Sequence, residues 1–183
     1  MKPTLYIPIG PPASGKSTLL NNIGNMEIIS GDNMREKLFG DAALQYTDEY
    51  LVSRGYDSAA MTPREKEKVC SVIIWHALED ETVAALKEGK NVGYDGVNAF
   101  PDFRAEIIEM AADIAVIHAL VIQVDKETCM NRDAERDRHA GEAAIDRYIT
   151  NIVLPEFSEG FDIIDIYDKD GNLISHEVKE DLQ

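Results

Sequence analysis

The sequence predicts an α/β fold with a mainly parallel sheet, helices on both faces of the sheet and an antiparallel hairpin at the C-terminal end. Short apolar runs alternate with helical stretches along most of the 183 residues, and this alternation is typical of parallel strands joined by crossover helices. The segment Lys169-Asp170-Gly171-Asn172 separates the last two strand-like runs and is a hairpin signal. We therefore expect a single domain over residues 1–183.

The elements of the first half follow from apolar runs and helix signals. Thr62-Pro63-Arg64-Glu65 is a capping box with proline at the first helical position, so a helix should begin there and stop at Gly89. The elements predicted in this half are a strand over Thr4–Ile9, a helix from Thr18, a strand over Glu27–Ser30, a helix ending at Leu38 and a helix running to about Glu88.

The second half contains the longest β-branched run, Ile114–Val124, which predicts a strand buried within the sheet. Strand-like and helical segments alternate on both sides of it. The other elements predicted here are a strand from Asn91 to Asp95, helices over Phe103–Ala112, about Lys126–Arg138 and Gly141–Pro155, and strands over Phe161–Tyr167 and Leu173–Val178.

The net charge of −16 argues against a general nucleic-acid binder, because non-specific affinity comes from neutralising phosphates. The acidic excess lies in residues 41–125 and 141–183, whereas residues 1–40 and 126–140 are nearly balanced. This distribution tolerates a short polyanionic substrate but not a long one that is bound along its whole length.

Several observations predict a cytoplasmic protein with no membrane partner. The two cysteines, Cys70 and Cys129, have no metal-ligand spacing and are expected to be reduced thiols. The apolar run Leu5–Ile9 leads directly into a glycine-rich loop, so we expect no signal peptide. No apolar stretch approaches the roughly 18 residues of a membrane span.

The residues from Gly10 to Ser17 read GPPASGKS and fit the Walker A, or phosphate-loop, pattern G-x-x-x-x-G-K-[ST]. The motif lies between a predicted strand and a predicted helix, where backbone N–H groups and the helix dipole form an anion site. Lys16 should reach the β- and γ-phosphates, and the Ser17 hydroxyl should ligate Mg²⁺. A chance match in a chain of this length has a probability below about one per cent.

The phosphate loop predicts a P-loop NTPase-type, three-layer α/β/α fold that binds ATP with Mg²⁺. The four histidines have no ligand spacing, so no further metal site is expected. The residues expected to contact the nucleotide are Gly10, Pro11, Pro12, Ala13, Ser14, Gly15, Lys16, Ser17, Thr18 and, from a lid segment at about residues 126–140, Arg132.

Asp32 follows the second predicted strand, where strand ends of an open α/β sheet face the ligand crevice. Its carboxylate could accept the proton of an attacking hydroxyl, or it could only cap a helix that starts at Asn33. Arg35, one turn later, could bind an anionic group beside the acceptor or be an ordinary exposed helix arginine.

Asp95 ends the third predicted strand, and Asn98 lies in the turn that follows. The acid could order magnesium or its waters, and both side chains could line the substrate crevice. An ordinary strand-ending turn is the alternative interpretation.

Arg132 and Arg136 are four residues apart and should share one face of the predicted lid helix. One of them could deliver a guanidinium to the transferring phosphate, as an arginine finger does. Acidic residues alternate with the basic ones here, so a solvated, salt-bridged helix is the alternative. Arg138 is a third candidate.

Five segments together resemble the P-loop kinase family that includes the 5′-kinase domain of bacteriophage polynucleotide kinase, with zeta-toxin-like kinases as more distant relatives. These segments are GPPASGKST, ISGDNMREKLFGD, EGKNVGYDGVN, CMNRDAERDRH and EGFDIIDI. The resemblance implies that Asp32 is the general base and that Arg35 contacts the phosphate next to the acceptor hydroxyl. It also implies that Arg136 assists phosphoryl transfer.

Two positions differ from this family. Val97 stands where relatives often have threonine, and Ala143-Ala144 stands where Val-Pro usually follows the lid. The resemblance therefore supports the reaction more strongly than the polynucleotide substrate.

Three functions follow from these observations. The first is transfer of the γ-phosphate of ATP to a substrate hydroxyl, most directly the 5′-hydroxyl of a polynucleotide or short oligonucleotide, which the Asp32–Arg35 pair favours. The second is a small-molecule kinase acting on a sugar, nucleoside, antibiotic or amino sugar, which the acidic charge favours. The third is a non-enzymatic ATP-dependent switch, which would need neither Asp32 nor a lid arginine.

Overall fold

The computed structural model describes residues 2–180. Its six strands form one sheet in the order β2-β3-β1-β4-β5-β6. The strands are β1 Thr4–Ile9, β2 Glu27–Ser30, β3 Val92–Asp95, β4 Val116–Ile122, β5 Ile163–Tyr167 and β6 Leu173–Val178. The helices are α1 Lys16–Ile23, α2 Gly31–Phe39, α3 Asp48–Ser53, α4 Pro63–Lys87, α5 Pro101–Ala111, α6 Lys126–Ala134 and α7 Glu142–Asn151, with short 3₁₀ turns at Ser58–Ala60 and Phe157–Glu159.

The pairing confirms the predicted sheet. β1 is parallel to both β3 and β4, β4 is parallel to β5, and β6 is antiparallel to β5. The predicted hairpin turn is present between β5 and β6: both carboxylate oxygens of Asp168 accept hydrogen bonds, from the backbone N–H groups of Asp170 and Asn172 and from Asn172 Nδ2. Gly171 in this turn has φ of 83°.

The chain divides into two compact units. The first comprises the described residues up to 28 and from 85 onward, and it contains the central strands. Leu5, Ile7 and Ile9 of β1 are fully buried, as expected for the middle strand of a covered parallel sheet. Leu19 and Leu20 of α1 pack with Leu120 and Ile122 of β4, so the helix that follows the phosphate loop is fixed against the sheet.

The second unit, residues 29–84, is helical. The capping box before α4 forms as predicted: Glu65 Oε2 accepts from Thr62 N–H at 2.8 Å, and Thr62 Oγ1 accepts from Glu65 N–H at 3.4 Å. α3 was not predicted. It begins at the N-cap Thr47, whose Oγ1 accepts from Tyr50 N–H at 3.1 Å.

Some predicted boundaries are wrong. α1 begins at Lys16 rather than Thr18, α5 begins at Pro101 rather than Phe103, and α6 ends four residues before the predicted Arg138. α7 begins one residue later than predicted and ends at Asn151, before the predicted Pro155.

Candidate active site

The phosphate-loop motif forms the turn between β1 and α1. Ala13 and Gly15 adopt left-handed backbone conformations with φ of 60° and 105°. A Cβ atom on Gly10 would lie 2.7 Å from Ser14 Oγ, so a larger residue there would force the Ser14 side chain to move. The loop ends at the N-terminus of α1, where free backbone N–H groups and the helix dipole favour an anion.

Lys16 is folded back over this loop. Its Nζ donates hydrogen bonds to the carbonyl oxygens of Gly10 and Pro11 at 3.0 and 2.7 Å, and to Ser14 Oγ at 3.4 Å. The residue is buried, and burial lowers the pKa of its amine to about 8 although Asp95 acts in the opposite direction. A phosphate at the loop would stabilise this buried ammonium group by direct charge pairing.

We expect the affinity for ATP to fall as the pH rises above about 8. Bound phosphates favour the charged amine and therefore raise the pKa of Lys16. Below the free pKa the amine is already protonated and affinity is constant, whereas between the free and bound pKa values affinity falls by up to about tenfold per pH unit.

Calorimetric titration with ATP and Mg²⁺ from neutral to alkaline pH measures this effect. Lys16→Arg is the control, because a guanidinium does not titrate in this range and its affinity should not follow the same curve. A wild-type affinity that stays constant throughout would contradict the assignment of Lys16 to the phosphates.

Ser17 and Asp95 are in direct contact, because the first turn of α1 lies beside the end of β3. Ser17 Oγ donates a hydrogen bond to Asp95 Oδ2 at 2.6 Å. A hydroxyl and a carboxylate oxygen are hard ligands of the kind that Mg²⁺ prefers. The donor set therefore fits the predicted Mg²⁺, with Ser17 as a ligand and Asp95 as a ligand or a partner of its waters. A contact of Asp95 with the acceptor stays a prediction.

Asn98 holds the turn after β3 against β1. Its Nδ2 donates to the carbonyl oxygens of Pro8 at 2.9 Å and Tyr94 at 3.2 Å, and its φ is 47°. Gly10 N–H donates to the carbonyl of Val97 at 3.4 Å, which joins the same turn to the phosphate loop. Asn98 thus positions the turn that directly follows Asp95, and its predicted contact with substrate stays a prediction.

Arg104 is a residue of this region that the sequence analysis missed. It is fully buried on α5, and its guanidinium donates to both carboxylate oxygens of Glu159 at 2.7 and 2.8 Å. It also donates to the carbonyls of Asn98 at 3.1 Å and Val153 at 2.9 Å. Arg104 therefore joins the Asp95 turn to the segment that follows α7.

Arg132 on α6 reaches the phosphate loop. Its Nη1 donates to the carbonyl of Ser14 at 2.9 Å, and its Nη2 donates to the carbonyl of Lys169 at 2.6 Å. The guanidinium thus bridges the phosphate loop and the β5–β6 turn, a position consistent with the predicted nucleotide contact.

α6 ends at Ala134, where the buried carboxylate of Asp133 binds backbone groups further along the chain. Asp133 accepts hydrogen bonds from the backbone N–H groups of Ala140 and Gly141, both at 2.9 Å. These two bonds lower the pKa of the Asp133 carboxyl. They also close the segment after the helix into a loop, so the predicted lid is a helix followed by a turn.

The prediction that Arg132 and Arg136 share a helix face is therefore wrong, because Arg136 lies in the turn. Its side chain is half exposed, with Nη1 4.0 Å from Asp133 Oδ1. Its positive charge contributes to lowering the pKa of Lys16, which indicates that it is within electrostatic reach of the phosphate loop. Arg136 thus places a surface charge near the site, whereas Arg132 is fixed by two carbonyls.

We expect the two arginines to affect different kinetic constants. Arg132→Ala should raise KM for ATP, because it loses a contact that exists before the reaction. Arg136→Ala should lower kcat by about 10²-fold with little change in KM, because a charge that acts as the transition state forms affects turnover. Steady-state kinetics with varied ATP separates the two effects.

Arg138→Ala, which removes an exposed charge of the same turn, is the matched control. A loss of kcat confined to Arg138→Ala would show that Arg138 is the catalytic arginine.

A cavity of about 340 Å³ lies beside the phosphate loop. It is lined by Ser14, Gly15, Thr18, Leu19, Asn22, Ile122, Arg132, Tyr167 and the turn residues 168–171. Burial and the neighbouring Asp165 raise the pKa of Tyr167 to about 12, so its hydroxyl stays protonated. The cavity adjoins the phosphate loop and has the size of a small-ligand pocket.

Asp32 and Arg35 lie in the second unit, on the first two turns of α2. The helix is capped by Ser30, whose Oγ accepts from Asn33 N–H at 3.1 Å, so Asp32 is not the N-cap that the alternative interpretation required. Asp32 is 54% exposed in its side chain and forms an ion pair with Arg35 Nη2. Arg35 Nε donates to the carbonyl of Ala42 at 2.9 Å, which fixes the guanidinium.

The described part of the chain offers no other metal site. Among residues 2–180, no three His, Cys, Asp or Glu side chains are arranged to hold a metal ion. His118 Nε2 and His176 Nδ1 lie 3.0 and 2.6 Å from the two oxygens of Asp165. In the same range, no helix is both long and apolar enough to cross a membrane.

Solved structures confirm the fold. A chain of the Pnkp1/Rnl/Hen1 RNA repair complex superposes with a TM-score of 0.62 at 22% identity, over 81% of this chain and 43% of that one. A chain of the PezAT chromosomal toxin–antitoxin system of Streptococcus pneumoniae gives a TM-score of 0.60 at 18% identity, over 96% of this chain and 72% of that one. A gluconokinase from Sinorhizobium meliloti 1021 gives a TM-score of 0.54 at 14% identity, over 91% of this chain and 83% of that one.

These likenesses show that the chain has a three-layer α/β fold. The chain spans less than half of the Pnkp1-complex chain that it matches. A family model described as an AAA domain matches residues 5–155, which include the phosphate loop, Asp32, Asp95 and Arg132. The chain therefore belongs to this AAA-domain family.

Proposed function

We propose that this protein is an ATP-dependent kinase that transfers the γ-phosphate to the 5′-hydroxyl of a polynucleotide or short oligonucleotide. The ion pair between Asp32 and Arg35 is the observation that supports the choice of acceptor in this proposal. A carboxylate and a guanidinium fixed on adjacent turns of one helix suit an acceptor with a hydroxyl and a neighbouring phosphate. The likeness to a chain of an RNA repair complex also supports a nucleic-acid acceptor.

Asp32 accepts the proton of the acceptor hydroxyl as its oxygen forms a bond with the γ-phosphorus. The bond between that phosphorus and the β–γ bridging oxygen breaks, and ADP leaves. Arg35 binds the phosphate next to the hydroxyl and orients the acceptor.

Residues of the first unit bind the nucleotide and stabilise charge on the transferred group. Lys16 and Arg136 act on the phosphates, and Arg132 holds the nucleotide beside the loop. Gly10, Pro11, Pro12, Ala13, Ser14, Gly15, Ser17 and Thr18 complete the nucleotide site. Ser17, with Asp95 beside it, would hold Mg²⁺, which would neutralise charge at the phosphates when bound.

The cell location and the domain organisation are part of the proposal. Cys70 and Cys129 are both buried and free, which agrees with a reducing cytoplasm. Residues 1–183 act as one kinase domain, and residues 126–140, with α6 and the following turn, act as its lid.

A small-molecule kinase is the second candidate, because the charge of −16 opposes a polyanionic acceptor and a gluconokinase shares the fold. A non-enzymatic switch has less support, since it leaves Asp32 and Arg35 without a role.

Phosphate transfer from γ-labelled ATP distinguishes these candidates. The acceptors are a nucleoside, its 3′-monophosphate, 5′-hydroxyl oligonucleotides of increasing length, gluconate and other sugars. We expect labelling of the 3′-monophosphate and of the oligonucleotides, with the nucleoside labelled poorly. Labelling of a sugar alone would establish the second candidate, and labelling of no acceptor would favour the switch.

A further inference from the structure

One face of α2 carries three side chains in a row. Asp32, Arg35 and Phe39 are spaced by three and then four residues, so they follow one another along the same side of the helix. One turn after Arg35, the same face of the helix therefore carries an aromatic ring.

Phe39 contacts a residue of α3. Its ring contacts that of Tyr50 edge to face, with centroids 5.1 Å apart and an interplanar angle of 79°. Tyr50 in turn holds Arg54: the guanidinium carbon lies 5.4 Å from the ring centroid, and Nε and Nη2 donate to Tyr50 Oη at 3.2 and 3.1 Å. The guanidinium is therefore oriented by an aromatic residue.

Arg54 differs from two lysines of this unit that pair with carboxylates. Lys37 pairs with Glu81, and Lys66 pairs with Asp48. Arg54 is exposed, and within residues 2–180 it makes no ion pair with a carboxylate. In a chain with a net charge of −16, an arginine that is ordered yet lacks a carboxylate partner is available to an external anion.

We propose that Arg54, held by Tyr50, is a second acceptor subsite that binds a backbone phosphate downstream of the terminal nucleotide. Arg35 and Phe39 have Cβ atoms about 5–6 Å apart, as residues one turn apart do. Two ring contacts, with separations of 5.1 and 5.4 Å, connect Phe39 to Arg54 through Tyr50. A nucleoside 3′-monophosphate and a 5′-hydroxyl dinucleotide each have a single phosphate, which Arg35 would bind, whereas a trinucleotide has a second phosphate for Arg54.

This inference rests on the proposed function and makes it more specific. The acceptor is a short strand held at two phosphates, so catalytic efficiency should rise between the 3′-monophosphate and the trinucleotide and then level off. Two phosphate contacts are compatible with the acidic surface, since they do not require a basic groove along the strand.

The test measures kcat/KM for a nucleoside 3′-monophosphate and for 5′-hydroxyl strands of two, three and six nucleotides. We expect the wild type to gain about tenfold with length, the value of one charge-assisted hydrogen bond. Arg54→Ala should lose this gain and keep its efficiency toward the 3′-monophosphate within about twofold. Arg54→Lys should retain part of it, and Tyr50→Phe, which removes the oxygen that orients Arg54, should also lose part of it.

Arg64→Ala is the matched control, because Arg64 is an exposed arginine of the same unit at the start of α4. It should keep the full dependence on length. Anisotropy titration of a 5′-deoxy trinucleotide, which cannot react, gives a second readout: Arg54→Ala should bind it more weakly, with a salt slope reduced by about one.

An unchanged length dependence in Arg54→Ala, or an equal loss in Arg64→Ala, would overturn the subsite. Equal wild-type efficiency for the 3′-monophosphate and all strands would also overturn it while leaving the proposed function intact. Failure of the wild type to phosphorylate any nucleic-acid acceptor would remove both.

Discussion

Replacement of Lys16 by alanine is expected to lower kcat/KM for phosphoryl transfer by about 10³-fold or more. The side chain is the buried cation of the phosphate loop, and among the described residues no other lysine donates a hydrogen bond to the loop. Its loss removes charge stabilisation both from the bound nucleotide and from the transition state. The measurement is initial rates of transfer from γ-labelled ATP with the best acceptor found.

The fold of the Lys16→Ala variant should remain intact, since burial of the ammonium group disfavours its charged form and its removal relieves that cost. The melting temperature should therefore be equal to that of the wild type or higher. Lys2→Ala, which removes an exposed lysine of the same unit, should leave rate and melting temperature unchanged. Full activity in a folded Lys16→Ala variant would contradict the nucleotide assignment.

Replacement of Asp32 by asparagine is expected to lower kcat by about 10²–10⁴-fold, the usual value of general-base catalysis. The amide keeps the size of the side chain but cannot take a proton. Ser30 caps α2 and Asp32 does not, so the helix should persist. ATP affinity should change little, because the proposed role concerns the acceptor.

Two comparisons make the Asp32→Asn result specific. Asp80→Asn removes an exposed carboxylate from α4 of the same unit and should have no effect on the rate. Circular dichroism and ATP titration should show an unchanged fold and nucleotide site in both variants. A normal kcat for Asp32→Asn would leave the residue as only the partner of Arg35.

The parts of the fold that depend on local signals could be predicted from the sequence. The phosphate loop, the strand before it and the capping box at Thr62–Glu65 are encoded within a few neighbouring residues, and each is present in the structure. The hairpin between β5 and β6 likewise depends on its own turn residues, with Asp168 bonding to residues two and four positions later.

Features that depend on distant partners could not be predicted in this way. The end of α6 is set by Asp133 bonding to residues seven and eight positions later, which no helix-end rule covers. Ser30 and Asp32 are both good N-cap residues, and only the extended backbone at Ser30 decides between them. The role of Arg104 has no local signal, because its partner Glu159 lies 55 positions away.

The hydrogen-bond partners of Arg104 also constrain how the chain folds. Its guanidinium bonds to groups 6, 49 and 55 positions along the chain. Burial of an arginine before Glu159 has docked would leave a cation without its carboxylate, at a cost of about 3–5 kcal/mol. We therefore expect intermediates with a formed turn after β3 but an undocked segment at residues 153–159 to be scarcely populated, so that Asp95 should be positioned in the same cooperative step as that segment.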